Sequence, residues 1–452
     1  MSKTPNTRLS LLMQEADLNQ AQLAATVAVV AAEHGVRTGC DRSSVSRWLS
    51  GTTPRPPWPA LLLEALARRL GRPITAYEAG LSSVRCPVTV HGLSWEADPL
   101  RKLAALTSAQ ADPDRRRALT TGVFTLTALA VPDATALARL GVGPPRASAS
   151  GPGRVGHGEI EHMQTMARLF AQAAEEHGAG HIRPSLAEYL NHSVTRWLHA
   201  PASDTIHRQL LTSAAQLTTL FGLMSADDGA DALAQHYCRV ACHLAADADD
   251  MVAFAIALRA MSAHAHELGH HVRAVHHLAE RATDATRHAP PSVRAYVHAH
   301  LAVMQAHDDR YSAIASLAEA ERLHDRANAA PGPLSAYPRG ALYYQRAQTL
   351  TTLGDKRESI RALTASLHHR APGERLADAL TRARLAETLL AQGHLDAALL
   401  HWRGFLDVYP LLHSARATRR LDAMRQFLRP HRHHPAAAHL LARATGIRHR
   451  PR

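Results

Sequence analysis

The sequence predicts an all-α protein, and three observations carry the prediction. Ala and Leu dominate a chain of 452 residues whose aromatics make up only 4%, a balance that favours helix over sheet. Turn signals recur along the C-terminal part at Gly229, Gly269, Asp309, Gly354 and Gly393, spaced 40, 40, 45 and 39 residues apart, and each is followed by apolar positions at helical spacing. Near the N-terminus, DRSSVSRWLSGTTPRP (41–56) carries the start and stop signals of one short helix. The expected organisation is an N-terminal helical domain over 1–82, a connecting segment and linker over 83–158, and a helical repeat domain with a basic tail over 159–452.

In the N-terminal domain, Asn6-Thr7 can cap a first helix over Arg8–Ala16 with Leu9, Leu12 and Met13 inward. Asn19-Gln20 opens a second, with Leu23, Ala24, Val27, Val30 and Ala31 on its apolar face. Asp41 caps the third, because its carboxylate can accept free N–H groups of the first turn. Val45, Trp48 and Leu49 fall at i, i+3 and i+4, so they share a buried stripe, and Arg42, Ser43, Ser46 and Arg47 face away from it. Ser50-Gly51 stops this helix and Pro54, Pro56 and Pro57 keep it stopped. WPALLLEALARRLGRPIT (58–75) is a fourth helix, ended by Gly71 and Pro73. A short helix with guanidinium and hydroxyl groups outermost suits a DNA major groove: Arg can take O6 and N7 of guanine together, and Ser is an adaptable partner. An ordinary amphipathic helix with a polar outer face is the plainer alternative.

Two stretches, LNQAQLA (18–24) and DRSSVSRWLSG (41–51), resemble the lambda-repressor-like (XRE-type) helix-turn-helix domain. That resemblance implies Gln20 on a phosphate and Arg42, Ser43 and Arg47 at base edges. Ser44, Ser46, Thr52 and Arg55, on the same helix and its exit loop, complete the expected DNA-binding set. VAVVAAEHGVRTGC lengthens the usually short turn after the second helix. A narrower resemblance covers 6–82, on the tokens NTRL, DRSSVSRWLSG, PRPP, EALARRLGRPIT and AGL. This stretch resembles the N-terminal domain of streptomycete transcriptional regulators with tetratricopeptide-like repeats. The resemblance extends to the Asp-Arg-Arg segment and apolar stretch of 112–131, and to GLMSADDGADALAQHYCRVACHLA and WRGFLDVYPLLHSAR. It implies a C-terminal TPR-like α-solenoid, in which each helix pair buries its face against its neighbours.

Composition bounds the rest. Hydrophobic residues at 46% allow a sizeable core. The longest apolar stretch, GVFTLTALAVP (122–132), is too short to span a membrane. MSKTPNTRL does not read as a signal peptide, and a cytoplasmic, nucleoid-associated protein is expected. Cys40, Cys86, Cys238 and Cys242 form no C-x-x-C, and the last two read as buried thiols one helical turn apart. The net charge of +12 is uneven: 1–82 holds nine Lys/Arg against six Asp/Glu, and 416–452 holds ten Arg against Asp422 alone. That tail reads either as a nucleic-acid contact or as a solvated capping helix. GVGPPRASASGPGRVGHG (141–158) has linker composition.

Residues 266–270 spell HELGH, the zincin spacing of two histidine ligands and a glutamate base. The extended motif needs Gly at 273, where this chain has Arg273. The repeat register also ends a helix at Leu268-Gly269, so the two histidines are not expected on one helix. No P-loop, G-x-G-x-x-G strand turn or G-x-S-x-G elbow occurs. No enzyme activity, cofactor or metal is expected. The expected function is a DNA-binding regulator acting on double-stranded operator DNA as a homodimer, with a peptide or small molecule as a ligand of the repeat groove. A repeat-type protein-interaction scaffold is the alternative, and a zinc metallopeptidase a remote third.

Overall fold

The computed structural model describes residues 5–33, 40–55, 57–70, 74, 76–81, 95, 98–111, 124–140, 155–270, 272–327 and 337–447. Every described element is a helix, and no strand occurs among the described residues. No helix among them is long and apolar enough to cross a membrane.

The N-terminal unit, or head, holds α1 (Thr7–Glu15), α2 (Gln20–Glu33), α3 (Arg42–Leu49) and α4 (Trp58–Leu70). Leu9, Leu12, Leu23, Val27, Val45, Trp48, Leu61, Leu62 and Leu66 make its core, on the helical stripes that the sequence marked. Residues 76–81 return to the start of α1. The Asn6 amide donates to the Ala79 carbonyl at 2.9 Å, and Arg8 lies 3.9 Å over the Tyr77 ring while donating to the Tyr77 carbonyl. Gly80 has φ +64, and a Cβ there would stand 2.2 Å from Asn6 Oδ1. Only glycine closes this latch.

The connecting segment contributes α5 (Pro99–Ala111), a 3-10 turn (Leu126–Leu129) and α6 (Ala134–Leu140). The sequence's linker stretch lies outside the described residues over 141–154, as do the Asp-Arg-Arg segment and residues 34–39 of the lengthened turn. α7 (His157–His177) follows. α8 (Arg183–Tyr189) then runs through a π turn (Leu190–Val194) into α9 (Thr195–His199).

Six helix pairs make the remainder: α10 (Asp204–Asp227) with α11 (Asp231–Asp247), α12 (Met251–Glu267) with α13 (Arg273–Ala285), α14 (Pro291–Gln305) with α15 (Arg310–Asp325), α16 (Arg339–Thr352) with α17 (Lys356–His368), α18 (Arg375–Leu390) with α19 (Leu395–Val408), and α20 (Ala415–Leu428) with α21 (Pro435–Gly446). The partners of each pair pack together, and each pair packs on the next. The five turn signals fall between the partners of the first five pairs. Gly229, Gly269, Gly354 and Gly393 all have φ between +77 and +84, the left-handed conformation that ends a helix and favours glycine. Asp309 instead caps α15, accepting from the Tyr311 and Ser312 amides.

The end of the array returns to its beginning. His413 N–H donates to the His177 carbonyl at 2.7 Å, and Gly180 N–H donates to the His413 carbonyl at 2.9 Å. Ser414 donates to Asp227, and Arg416 pairs with Glu267 at 2.8 Å. Four of the basic tail's ten arginines are neutralised within the chain: Arg416, Arg420, Arg425 and Arg443 each meet a carboxylate.

One apolar core runs from Leu9 to Met304, through head, connecting segment and the first pairs. Its hinge point is polar. Glu64 of α4 is fully buried, pairing with Arg68 at 2.8 Å and accepting the Leu126 amide at 2.7 Å. The Gln235 side chain holds both the N–H and the carbonyl of Thr125, at 3.0 and 2.7 Å. Phe124 stacks on His270, and Arg281 donates to the carbonyls of Val131 and Pro132. The head is thereby fastened to the array through one buried carboxylate and one docked segment.

Candidate nucleic-acid interface

α3 is built to present a polar face on an apolar anchor. Val45 and Trp48 are buried, and Leu49 is half-buried. Trp48 packs against Trp58 with ring centroids 6.3 Å apart, which fixes the exit loop that carries Thr52 and Arg55. The helix stops at Gly51, with φ +94, whose N–H donates to the Trp48 carbonyl.

Asp41 caps the other end. Its Oδ1 accepts the Ser44 amide at 2.8 Å and the Ser44 hydroxyl at 2.7 Å, and the Ser43 hydroxyl reaches it at 2.9 Å. These bonds, Ser44's first and Ser43's next, hold the carboxyl down at about 2, with the Arg47 charge adding to them. Arg47 Nη2 donates in turn to Ser44 Oγ at 3.1 Å. A chain of contacts thus runs from cap to guanidinium. Ser43 and Ser44 spend their hydroxyl protons on Asp41, whereas Arg42, Ser46 and Arg47 stand exposed on the outer face.

Gln20 opens α2 and is half-buried. Asn19 caps that helix through the Ala21 and Gln22 amides, and Gln22 Oε1 accepts the Asn19 amide at 2.9 Å. This reciprocal capping box fixes the start of α2. Sequence reasoning found Asn19 and missed Gln22, although the Asn-x-x-Gln spacing signals it. Gln20 and Arg42 line one open cleft of about 560 Å³, together with Ser10, Gln14, Asn19 and Leu49. Thr52 is half-buried and lies in a second cleft with Asn6, Arg8 and Thr53. Arg55 is exposed further along the exit loop. The structure therefore joins Gln20 to Arg42, and Ser43, Ser44 and Arg47 to Asp41, while Thr52 and Arg55 sit apart. Arg8, which the sequence reading did not single out, borders the second cleft.

The arrangement offers anion-binding and hydrogen-bond-donating chemistry together. The positive pole of α2 lies at Gln20 and favours an anion there, and two exposed guanidinium groups lie on a helix eight residues long. Among the described residues no group of three or more metal-ligating side chains is assembled. His266 and Glu267 end α12, Gly269 turns with φ +84, and His270 lies in that turn against Phe124. His266 faces His307 instead, with ring centroids 5.3 Å apart.

A family model described as the SP15 N-terminal domain matches residues 9–82, the head. No curated protein matches the chain.

Proposed function

We propose that the chain is a sequence-specific DNA-binding transcriptional regulator. On this reading the head is a lambda-repressor-like helix-turn-helix domain, with α3 entering the major groove of operator DNA. The array is a TPR-like α-solenoid that dimerises, senses a ligand, or does both. One observation carries the reading: α3 exposes Arg42, Ser46 and Arg47 opposite its buried Val45 and Trp48, and the Gln20 end of α2 shares a cleft with Arg42. A helix of eight residues is about 12 Å long, a length the major groove admits along its floor. Gln20 then contacts a phosphate and sets the register, and Arg42 and Arg47 meet guanine edges. Ser43 and Ser44 hold Asp41, and through it the cap, and Ser44 also steadies Arg47.

A second copy supplies the second half-site, because one small reading head binds modestly and two half-sites a helical turn apart multiply affinity. Selection of bound duplexes from a random pool by the full chain tests the proposal. The expected outcome is one enriched sequence with two related half-sites. Recovery of unenriched DNA, bound only at low salt, contradicts it.

A further inference from the structure

Arg259 differs from three ion-paired arginines of the array and, like Arg239 over Trp95, is buried against an aromatic ring. Arg183, Arg370 and Arg416 each meet a carboxylate: Asp228 at 2.8 Å, Glu374 at 3.1 Å and Glu267 at 2.8 Å. Arg259, in the middle of α12, is 8% exposed. Its guanidinium carbon lies over the Tyr296 ring of α14, 3.7 Å from the centroid. Among the described residues, no carboxylate and no hydrogen-bond acceptor meets it, and its Nε is buried without a partner. Tyr296 leans edge-on against Tyr337, 5.3 Å away, and the buried Tyr337 hydroxyl has no hydrogen-bond partner either.

A guanidinium cannot escape burial by losing its proton. A buried charge without a countercharge is costly, and proteins otherwise pair such groups. Tyr296 covers one face of the guanidinium, which leaves the N–H edge free. That edge is the fork that holds a carboxylate or a phosphate through two parallel hydrogen bonds, and the Tyr337 hydroxyl is one more donor nearby. His300, buried beside this group, is held neutral by burial and by the charge of Arg259, so it supplies no second cation and no countercharge.

We propose that Arg259, backed by Tyr296, anchors a small anionic ligand through that ligand's carboxylate or phosphate group. The inference rests on the ligand-sensing half of the proposed function and names the chemistry of what is sensed. It does not depend on DNA binding.

Thermal unfolding of the full chain tests it, titrated separately with succinate and with inorganic phosphate against sodium chloride at matched ionic strength. At least one anion raises the wild-type Tm beyond chloride, and the more effective one identifies the ligand's anionic group. Arg259→Met loses the response, and Arg259→Lys keeps part of it, since a point charge replaces the fork. Without added anion, Arg259→Met melts about 2–4 °C above wild type, because an unpaired buried charge is gone. The proposal fails if neither anion stabilises beyond chloride, or if Arg259→Met responds as wild type does. A lower Tm for Arg259→Met without anion also overturns it, by making the guanidinium a structural element. No DNA enters the measurement, so its failure and a failure of operator binding are separate results.

Discussion

The head and the array treat polar side chains in opposite ways. In the head, almost every charge lies outside: Arg42, Arg47 and Arg55 are exposed, and the core is apolar apart from Glu64. In the array, Arg239, Arg259, His243, His264, His300 and Asp227 are all buried. The head's exposed charges are open to an outside partner at little cost to folding. Buried polar and charged groups weaken a fold unless they are fully paired, so the array's interior costs stability. On the proposed function, the head recognises an extended surface and the array a small enclosed partner. Glu64 is the exception that joins them, a buried head residue whose acceptor work is done for the connecting segment.

The largest effect is therefore expected at that joint. Glu64→Ala leaves Arg68 and the Leu126 amide without their acceptor and should destabilise the head by about 3–5 kcal/mol. Urea unfolding in a Trp95→Phe, Trp197→Phe, Trp402→Phe background, followed by the fluorescence of the remaining Trp48 and Trp58 beside far-UV circular dichroism dominated by the array's helices, separates the two regions. The tryptophan transition should move to lower urea and away from the helical one. If the two still coincide, the joint does not carry the coupling.

Next in size is an acid effect confined to the array. His300 is buried, its Nε2 sits 2.9 Å from Ser262 Oγ, and its pKa is held well below 6.5, by burial first and then by the charges of Arg259, His266 and His276. The unfolded chain binds a proton here that the folded chain refuses. Stability is thus retained above about 6.5 and lost as pH falls below it. His300→Asn should flatten that slope. An unchanged slope of stability against pH between 7 and 5 would remove His300 from the account.

Smaller changes are expected on the surface. Asp41→Ala removes the cap of α3 and the acceptor of Ser43 and Ser44, and should lower the tryptophan transition by less than Glu64→Ala does. No shift there would mean that Trp48 alone orders α3. Glu267→Gln breaks a half-exposed pair with Arg416 and should cost under about 1 kcal/mol. It should leave operator binding unchanged. One tightly held zinc per chain, with hydrolysis lost in this variant, would reverse the reading of HELGH as a repeat turn.

Legibility in the sequence follows the range of the interaction. The four turn glycines could be read because a left-handed residue is a local demand, and all four turn where their spacing placed them. Asp41, Asn6 and Asn19 could be read because caps act within three residues. Glu64 could not: in LLLEALARRL it reads as a polar position, and its acceptor role becomes visible only with Leu126, 62 residues on. Gln235 is hidden in the same way, bonded to Thr125 across 110 residues. The ten arginines of 416–452 suggested a free basic surface, but the carboxylates that neutralise four of them come mostly from other helices. Arg259 lies in VAFAIALRAMSA with nothing in its neighbours to mark it.

The claim that α3 reads DNA is tested most directly by Arg47→Ala. Its affinity should be measured for the selected duplex and for single-base variants of it, beside Gln20→Ala. Arg47→Ala should lose about 1–3 kcal/mol of specific binding and relax preference at one base position, while Gln20→Ala weakens every duplex alike. Unchanged affinity and unchanged base preference in Arg47→Ala would contradict the account.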